Sequence, residues 1–177
     1  MMRVLLATVV LVGVLAGCAS TLPVEPPPEF DAVAAVAAIR AAGTSGNAEL
    51  VVKPLGSNEV EDLREQATQL QAQGRHEEAA SALDQALTIS PDDPTLLQER
   101  AEAALLLHDL DGAERLARQA ITIGTEVGPQ CRRHWETVVQ ILSVQAQAAT
   151  GIAAPSPADA EARRQRDACT VAAPPRY

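Results

Sequence analysis

Apolar residues recur at three- and four-residue intervals through residues 58–127, the spacing that predicts amphipathic helices. The same region contains an internal repeat. The stretch EQATQLQAQGRHEEAASALDQALTISPDDP, from Glu65, aligns without gaps with ERAEAALLLHDLDGAERLARQAITIGTEVG, from Glu99. Matched pairs are Leu63 with Leu97, Glu65 with Glu99, Ala67 with Ala101, Ala79 with Ala113, and the run QALTI at 85–89 with QAITI at 119–123. One copy cannot bury its apolar face alone, so we expect the copies to stack.

Each copy divides into two predicted helices. Gly74 marks the turn of the first copy, and His108 with Asp109 stands at the matched place in the second. Helix starts are predicted at Asn58 with Glu61 in capping-box spacing, at Asp93 followed by Pro94, and at Gly128 followed by Pro129. These signals predict two helical hairpins over residues 58–127.

This pattern resembles the tetratricopeptide repeat, a helix–turn–helix unit with the same period. The residues that carry the resemblance are Ala67, Leu70, Ala79, Leu83, Ala86 and Pro91 in the first copy, and Ala101, Ala104, Ala113, Ala117 and Ala120 in the second. Thr125 replaces the turn proline of the second copy, and both copies lack the usual aromatic residues. The resemblance implies an all-α fold: a short α-solenoid of antiparallel hairpins, with two repeats and a capping hairpin.

The capping hairpin is predicted over residues 128–170. A long helix covers QCRRHWETVVQILSVQAQAAT, and its register is open, because placing Trp135 at the leading aromatic position of the motif makes the spacing from the second copy one helical turn too long. The stretch TGIAAPSP is predicted to be a loop, and a last helix starts at Ser156 and Pro157 and ends near Ala168. The tail, residues 171–177, is predicted to be irregular.

The N-terminus carries an apolar run from Val4 to Ala16 after a single charge at Arg3. This run is shorter than the roughly 20 residues of a membrane-spanning helix, and it has the form of a secretory signal core. The residues Leu-Ala-Gly-Cys at 15–18 resemble the lipobox of bacterial lipoproteins, proteobacterial ones in particular. The resemblance implies removal of residues 1–17, acylation of Cys18 with fatty-acid (palmitate-type) chains, and a membrane anchor. Ser20 is not the aspartate that often marks inner-membrane retention, which favours the outer membrane and its periplasmic face.

Between the anchor and the repeats, residues 18–30 contain three consecutive prolines and predict a semi-rigid tether. Residues 31–57 predict a short helix followed by an extended connector. Asp31 can cap the start of this helix and Gly43 its end, with Val33, Val36 and Ala37 as its apolar stripe.

Charge and motifs narrow the function. The net charge of −9 disfavours nucleic-acid and anionic-lipid partners. The chain has no Gly-rich phosphate loop, HExxH or GxSxG, and Cys131 with His134 is a poor metal pair, so we expect no cofactor, no metal and no enzyme activity. The first helices of tetratricopeptide hairpins line a concave face. The motif positions place on it Arg64, Thr68, Gln71, Gln98, Glu102, Arg132 and Glu136.

This face is the candidate binding site for a protein or peptide partner in the cell envelope. The predicted function is a tethered interaction module or assembly scaffold, similar in class to tetratricopeptide lipoproteins of pilus or outer-membrane assembly. The alternatives are a structural spacer without a dedicated ligand and an enzyme that acts on the cell wall. Arg132 and Arg133 lie near a helix start, where the dipole disfavours cations, so they either pair with carboxylates such as Glu126 or contact the partner.

The chain has three cysteines. If Cys18 is lipidated, as the lipobox resemblance implies, two thiols remain in an oxidising compartment, and a Cys131–Cys169 disulfide is predicted. Cys131 begins the first helix of the capping hairpin and Cys169 ends the second, so antiparallel packing brings these two ends to one side. The alternative is a pair of buried free thiols.

Overall fold

The computed structural model describes residues 30–44, 57–151 and 154–170. In these ranges the chain forms helices and no strand. The helices are α1 (Ala32–Ala42), α2 (Asn58–Ala72), α3 (His76–Ile89), α4 (Pro94–Leu106), α5 (Leu110–Ile123), α6 (Pro129–Thr150) and α7 (Pro157–Ala168). The predicted signal, tether, connector and tail fall wholly or mostly on residues 1–29, 45–56 and 171–177, outside the described residues, so they stay predictions.

The helices form three hairpins, α2–α3, α4–α5 and α6–α7, stacked in chain order. Helix α3 packs on α4, and α5 packs on α6. This is the all-α repeat solenoid that the sequence predicts, so the fold class is confirmed. None of the described helices combines the length and the apolar character that crossing a bilayer requires.

Alanine sets the close approach of the helices. The small motif residues are at most 2% exposed: Ala67, Ala79, Ala86, Ala101, Ala104, Ala113, Ala117 and Ala120. Larger side chains fill the spaces between hairpins, with Leu83 and Leu96 in one cluster and Val138 and Val139 in another. Since the core has few aromatic residues, it is stabilised by many van der Waals contacts between small and medium-sized side chains rather than by a few large ones.

The turns inside the two repeats both contain a residue with a positive φ angle at the matched position. Gly74 has φ 72°, and His108, at the matched position of the second copy, has φ 59°. Both lie in the left-handed region, which glycine adopts freely and other residues adopt at a cost. The ring of Phe30 lies edge-on to the His108 imidazole, with 5.8 Å between ring centroids, and so contacts this strained turn.

Most of the predicted helix ends are confirmed. The Asp93 carboxylate accepts hydrogen bonds from the backbone N–H groups of Thr95 and Leu96, and Pro94 is the first helical residue. The predicted cap of α2 is one residue late. Ser57, not Asn58, is the cap, and its hydroxyl accepts from the N–H of Val60 at 3.3 Å.

The outer face of α2 is polar, whereas the matching face of α4 is apolar except for Arg100, which pairs with Asp84 of α3. In α4 this face contacts α3, whereas in α2 it is exposed to solvent. At matched positions of the two copies, Asp62, Gln66 and Gln69 of α2 and its C-cap Gln73 correspond to Leu96, Arg100 and Ala103 of α4 and its C-cap Leu107. A polar outer face is what the terminal unit of a solenoid requires, so α2 closes the N-terminal end of the array.

The C-terminal end is held by a disulfide. Cys131 in the first turn of α6 is bonded to Cys169, which caps α7, with 5.7 Å between their Cα atoms. The carbonyl of Cys169 also accepts a hydrogen bond from the N–H of Gly128 at 2.7 Å. These links fix the end of α7 against the start of α6.

Candidate functional site

The first helices of the three hairpins, α2, α4 and α6, contribute to one side of the array, here called the first-helix face. Helix α1 lies on this face and packs against α6 and α4. Its buried residues are Ala32, Ala35, Val36 and Ile39. The predicted stripe of α1 is therefore partly wrong, since Val33 is 67% exposed and Ala37 is exposed as well.

The apolar part of the contact centres on Ile39, which is fully buried. Ile39 and Val36 belong to one buried cluster with Leu105 of α4 and Ile141 of α6. Because Ile39 and Val36 come from α1, docking of α1 completes this cluster.

Ion pairs also join α1 to the array, with Glu102 bonded to two arginines. Arg40 Nε lies 2.8 Å from one carboxylate oxygen of Glu102, and Arg133 Nε lies 2.6 Å from the other. A second nitrogen of Arg40 donates to the side-chain oxygen of Gln71 on α2 at 2.7 Å. The side chain of Glu102 is completely buried, while that of Arg40 is 51% exposed. Arg40 therefore connects α1 to both α2 and α4.

Neutral polar groups continue this network into the core. The side-chain nitrogen of Gln98 donates to Glu102 at 3.0 Å and to the Thr137 hydroxyl at 2.8 Å. The side-chain oxygen of Gln98 lies 2.9 Å from Nδ1 of His134. All four of these residues are buried. Buried polar groups require such partners, because an unpaired one costs the desolvation of that group.

The network shifts the pKa values of two buried groups. Burial alone would raise the pKa of Glu102, but the hydrogen bond and charge of Arg133, with hydrogen bonds from Gln98 and Arg40, hold it below its usual value. Burial, together with the positive charge of Arg133 and against the opposing charge of Glu102, lowers the pKa of His134 to about 4. Glu102 is thus ionised and His134 neutral at pH 7.

The C-terminal end of α1 is bound through its backbone. Arg132 donates to the carbonyl of Ala42 at 3.1 Å and to that of Thr44 at 3.3 Å. The last carbonyls of a helix lack partners inside the helix, and they carry the negative end of its dipole. Gly43 also approaches Arg133 closely, since a Cβ built there would lie 3.1 Å from the Cβ of Arg133.

The structure corrects the predicted open face. Gln98 and Glu102 are 0% exposed and Glu136 is 5% exposed, because α1, Arg133 and α7 cover or pair them. Glu136 pairs with Arg166 of α7 at 2.6 Å.

The other predicted face residues also bond within the chain. Arg64 pairs with Glu99 at 2.5 Å, and the Thr68 hydroxyl donates to the carbonyl of Arg64. Gln71 and Arg132 bind α1, as described above. Arg133 pairs with Glu102, not with Glu126.

Two site residues escape prediction from the sequence. Arg40 is the single charged residue of α1, which was a usable signal in a helix otherwise made of Ala, Val and Ile. His134 stands out in the sequence only as a possible metal ligand, and its partner Gln98 is 36 residues away, so nothing local indicates their contact. Within residues 30–44, 57–151 and 154–170, no group of three or more His, Cys, Asp or Glu side chains is arranged to hold a metal ion.

Fold and site together define an all-α helical repeat protein whose first-helix face holds a short helix. Residues 70–126, which span the end of α2 through α5, match the family model described as tetratricopeptide repeat. This match supports a tetratricopeptide repeat protein, and repeats of this kind suggest a protein–protein interaction module. No curated protein matches the chain.

Proposed function

We propose that this protein is a membrane-anchored interaction module or assembly scaffold on the periplasmic face of the bacterial outer membrane. One observation carries the interaction part of the proposal: the first-helix face holds α1 through apolar, ionic and backbone contacts at once. A surface that holds a helix in this way has the chemistry of a helix-binding site.

The anchoring part rests on the sequence. The Leu15–Cys18 box after a short apolar run resembles a lipoprotein processing site. Two acyl signals give stable membrane attachment, whereas a single chain gives only marginal binding. The acidic chain, with a net charge of −9, has no comparable attraction for anionic lipid headgroups, so the lipid would supply the attachment.

Anchoring is tested by Cys18→Ser in the full chain, with Ser20→Ala as the matched control. We expect the Cys18→Ser chain either to leave the membrane fraction or to keep its signal, while the control remains processed and membrane-bound. Mass spectrometry of the N-terminal peptide identifies the acyl groups. A wild-type chain in the soluble periplasmic fraction with an unmodified Cys18 would refute the anchor.

Partner binding is tested by cross-linking in intact cells. A photoreactive side chain at Thr68, exposed on α2, is compared with the same side chain at Arg115, exposed on α5. The scaffold proposal expects a specific adduct from Thr68 and none from Arg115. If neither position yields an adduct, the spacer alternative is favoured instead.

A further inference from the structure

We propose that α1 is an internal occupant of the first-helix face, and that a helix of similar chemistry from a partner protein displaces it. The partner helix would be short, with Ala, Val or Ile on one face and a basic side chain near its C-terminus. This inference rests on the proposed function, because it assigns the kind of partner that the same face binds.

Helix α1 is attached by a small buried surface. Four of its side chains are buried, two of them alanines, whereas α4 buries eight residues. At 11 residues, α1 is also shorter than the roughly 12–15 residues at which isolated helices become even marginally stable. Elements with few buried apolar contacts open locally at lower free energy than the whole molecule unfolds. We therefore infer that α1 opens before the hairpins do.

Helix α1 is also an outer layer of the molecule. Its side away from the array is exposed at Val33, Ala34, Ala37 and Ala41. The side chain of Arg40 is half exposed even while it is bonded to Glu102. The helix can thus leave the face without parting any of the three hairpins.

The buried charge of Glu102 on this face keeps its partners on α4 and α6 when α1 leaves. Glu102 keeps its contacts with Arg133 at 2.6 Å and Gln98 at 3.0 Å, so its charge stays paired. One oxygen of Glu102, which accepts from Arg40 in the structure, becomes available to another cation. Leu105 and Ile141 become available to another apolar side chain.

The direction in which the partner helix lies on this face follows from the contacts at the C-terminal end of α1. Arg132 binds the carbonyl of Ala42, the last residue of α1, and that of Thr44 just after it, and Arg40 stands in the last turn of α1. A displacing helix therefore needs its basic residue within the last turn and its C-terminal carbonyls toward Arg132. The net charge of −9 favours the approach of such a basic segment.

The first test measures α1 in the wild-type mature chain by amide hydrogen exchange. We expect the amides of Ala35–Ala42 to exchange at least tenfold faster than those of Gln98–Leu105 in α4. Equal protection of the two segments would overturn the inference, because α1 would then leave the face only on global unfolding. This measurement needs no variant, so it tests the opening of α1 even if a variant fails to fold.

The second test uses a labelled peptide of residues 30–44 as the probe and fluorescence anisotropy as the readout. The receptor is the mature chain carrying Ile39→Asp, which should release α1, and the matched control is Val33→Asp on the exposed side. We expect the peptide to bind the Ile39→Asp chain at least tenfold more tightly than it binds the wild type or the control. An Arg40→Glu peptide should bind at least tenfold more weakly than the parent peptide.

Equal peptide affinity for all three chains would overturn the inference, as would an Arg40→Glu peptide that binds as well as the parent. These outcomes are separable from the proposed function. Peptide exchange without a cross-linked envelope partner would show that α1 is displaceable, but it would refute the scaffold and with it the partner helix. A partner adduct with no peptide exchange would refute this inference and leave the scaffold standing.

Discussion

Replacing Arg133 with methionine tests whether the buried Glu102 charge depends on its neighbour. Methionine keeps much of the apolar stem and removes the guanidinium 2.6 Å from Glu102. Breaking a buried pair by removing one partner typically costs about 3–5 kcal/mol, because the remaining charge stays buried. Arg40 still reaches Glu102, but its side chain is 51% exposed, so it compensates only in part. We therefore expect a loss near the lower end, about 3 kcal/mol.

Urea unfolding of the mature chain at pH 7, with the disulfide intact, measures this loss as a shift of the midpoint at constant slope. The double variant Arg133→Met with Glu102→Gln removes the stranded charge, so it should recover at least half of the lost stability. Arg75→Met removes one partner of an exposed pair with Glu78 and should leave the midpoint nearly unchanged. A loss below about 1 kcal/mol for Arg133→Met, or no recovery in the double variant, would refute the reasoning.

Three further predictions concern pH, packing and the disulfide. The pKa of His134 is about 4 in the folded chain, against 6.5 for an ordinary histidine. Between pH 6.5 and pH 4 the unfolded chain therefore binds a proton that the folded chain does not, and the free energy of unfolding should fall by up to about 3 kcal/mol across this range. His134→Gln should make the melting temperature depend less on pH in that range, and an unchanged pH dependence would contradict the assignment. Ala113→Trp, at a fully buried position, should lower the melting temperature by many degrees because overpacking alone costs about 1–3 kcal/mol, whereas exposed Glu78→Trp should change it little; equal melting temperatures would argue against the helix packing. Reduction of Cys131–Cys169, or Cys131→Ser, opens a loop of 38 residues and should cost about 4 kcal/mol or less in the chain-entropy model. Two reactive thiols in the mature chain, labelled under denaturing and non-reducing conditions, would show that the bridge is absent.

The fold was predictable from the sequence because the repeat can be recognised from short stretches of the chain. A gapless internal match and alanines at the helix contacts are visible without knowing any distant partner. Caps such as Asp93 were predictable for the same reason, since their hydrogen bonds reach only two or three residues along the chain.

The site was less predictable because its contacts join distant residues. Arg40 and Glu102 are 62 positions apart, and nothing near either residue indicates the other. Helix α1 is apolar on nearly every side, so its residues offer no clear choice of buried face, and the predicted stripe included the exposed Val33. The motif positions place Gln98 and Glu102 on an open face, because the first helices of tetratricopeptide hairpins line a concave surface. Their burial depends on α1 and Arg133, which the repeat pattern does not describe.

The polar outer face of α2 has a consequence for growth of the array. A repeat protein with an apolar, exposed end can bind further copies of itself head to tail. Such contacts build open filaments when the rotation from one copy to the next does not close into a ring. Here Asp62, Gln69 and Gln73 stand where an incoming copy would need apolar side chains. At the other end α7 is bonded to α6 through Cys131 and Cys169, so it cannot swing away to admit another hairpin. The polar face of α2 thus disfavours stacking of another copy at this end of the described array, so we expect larger assemblies to form through its sides.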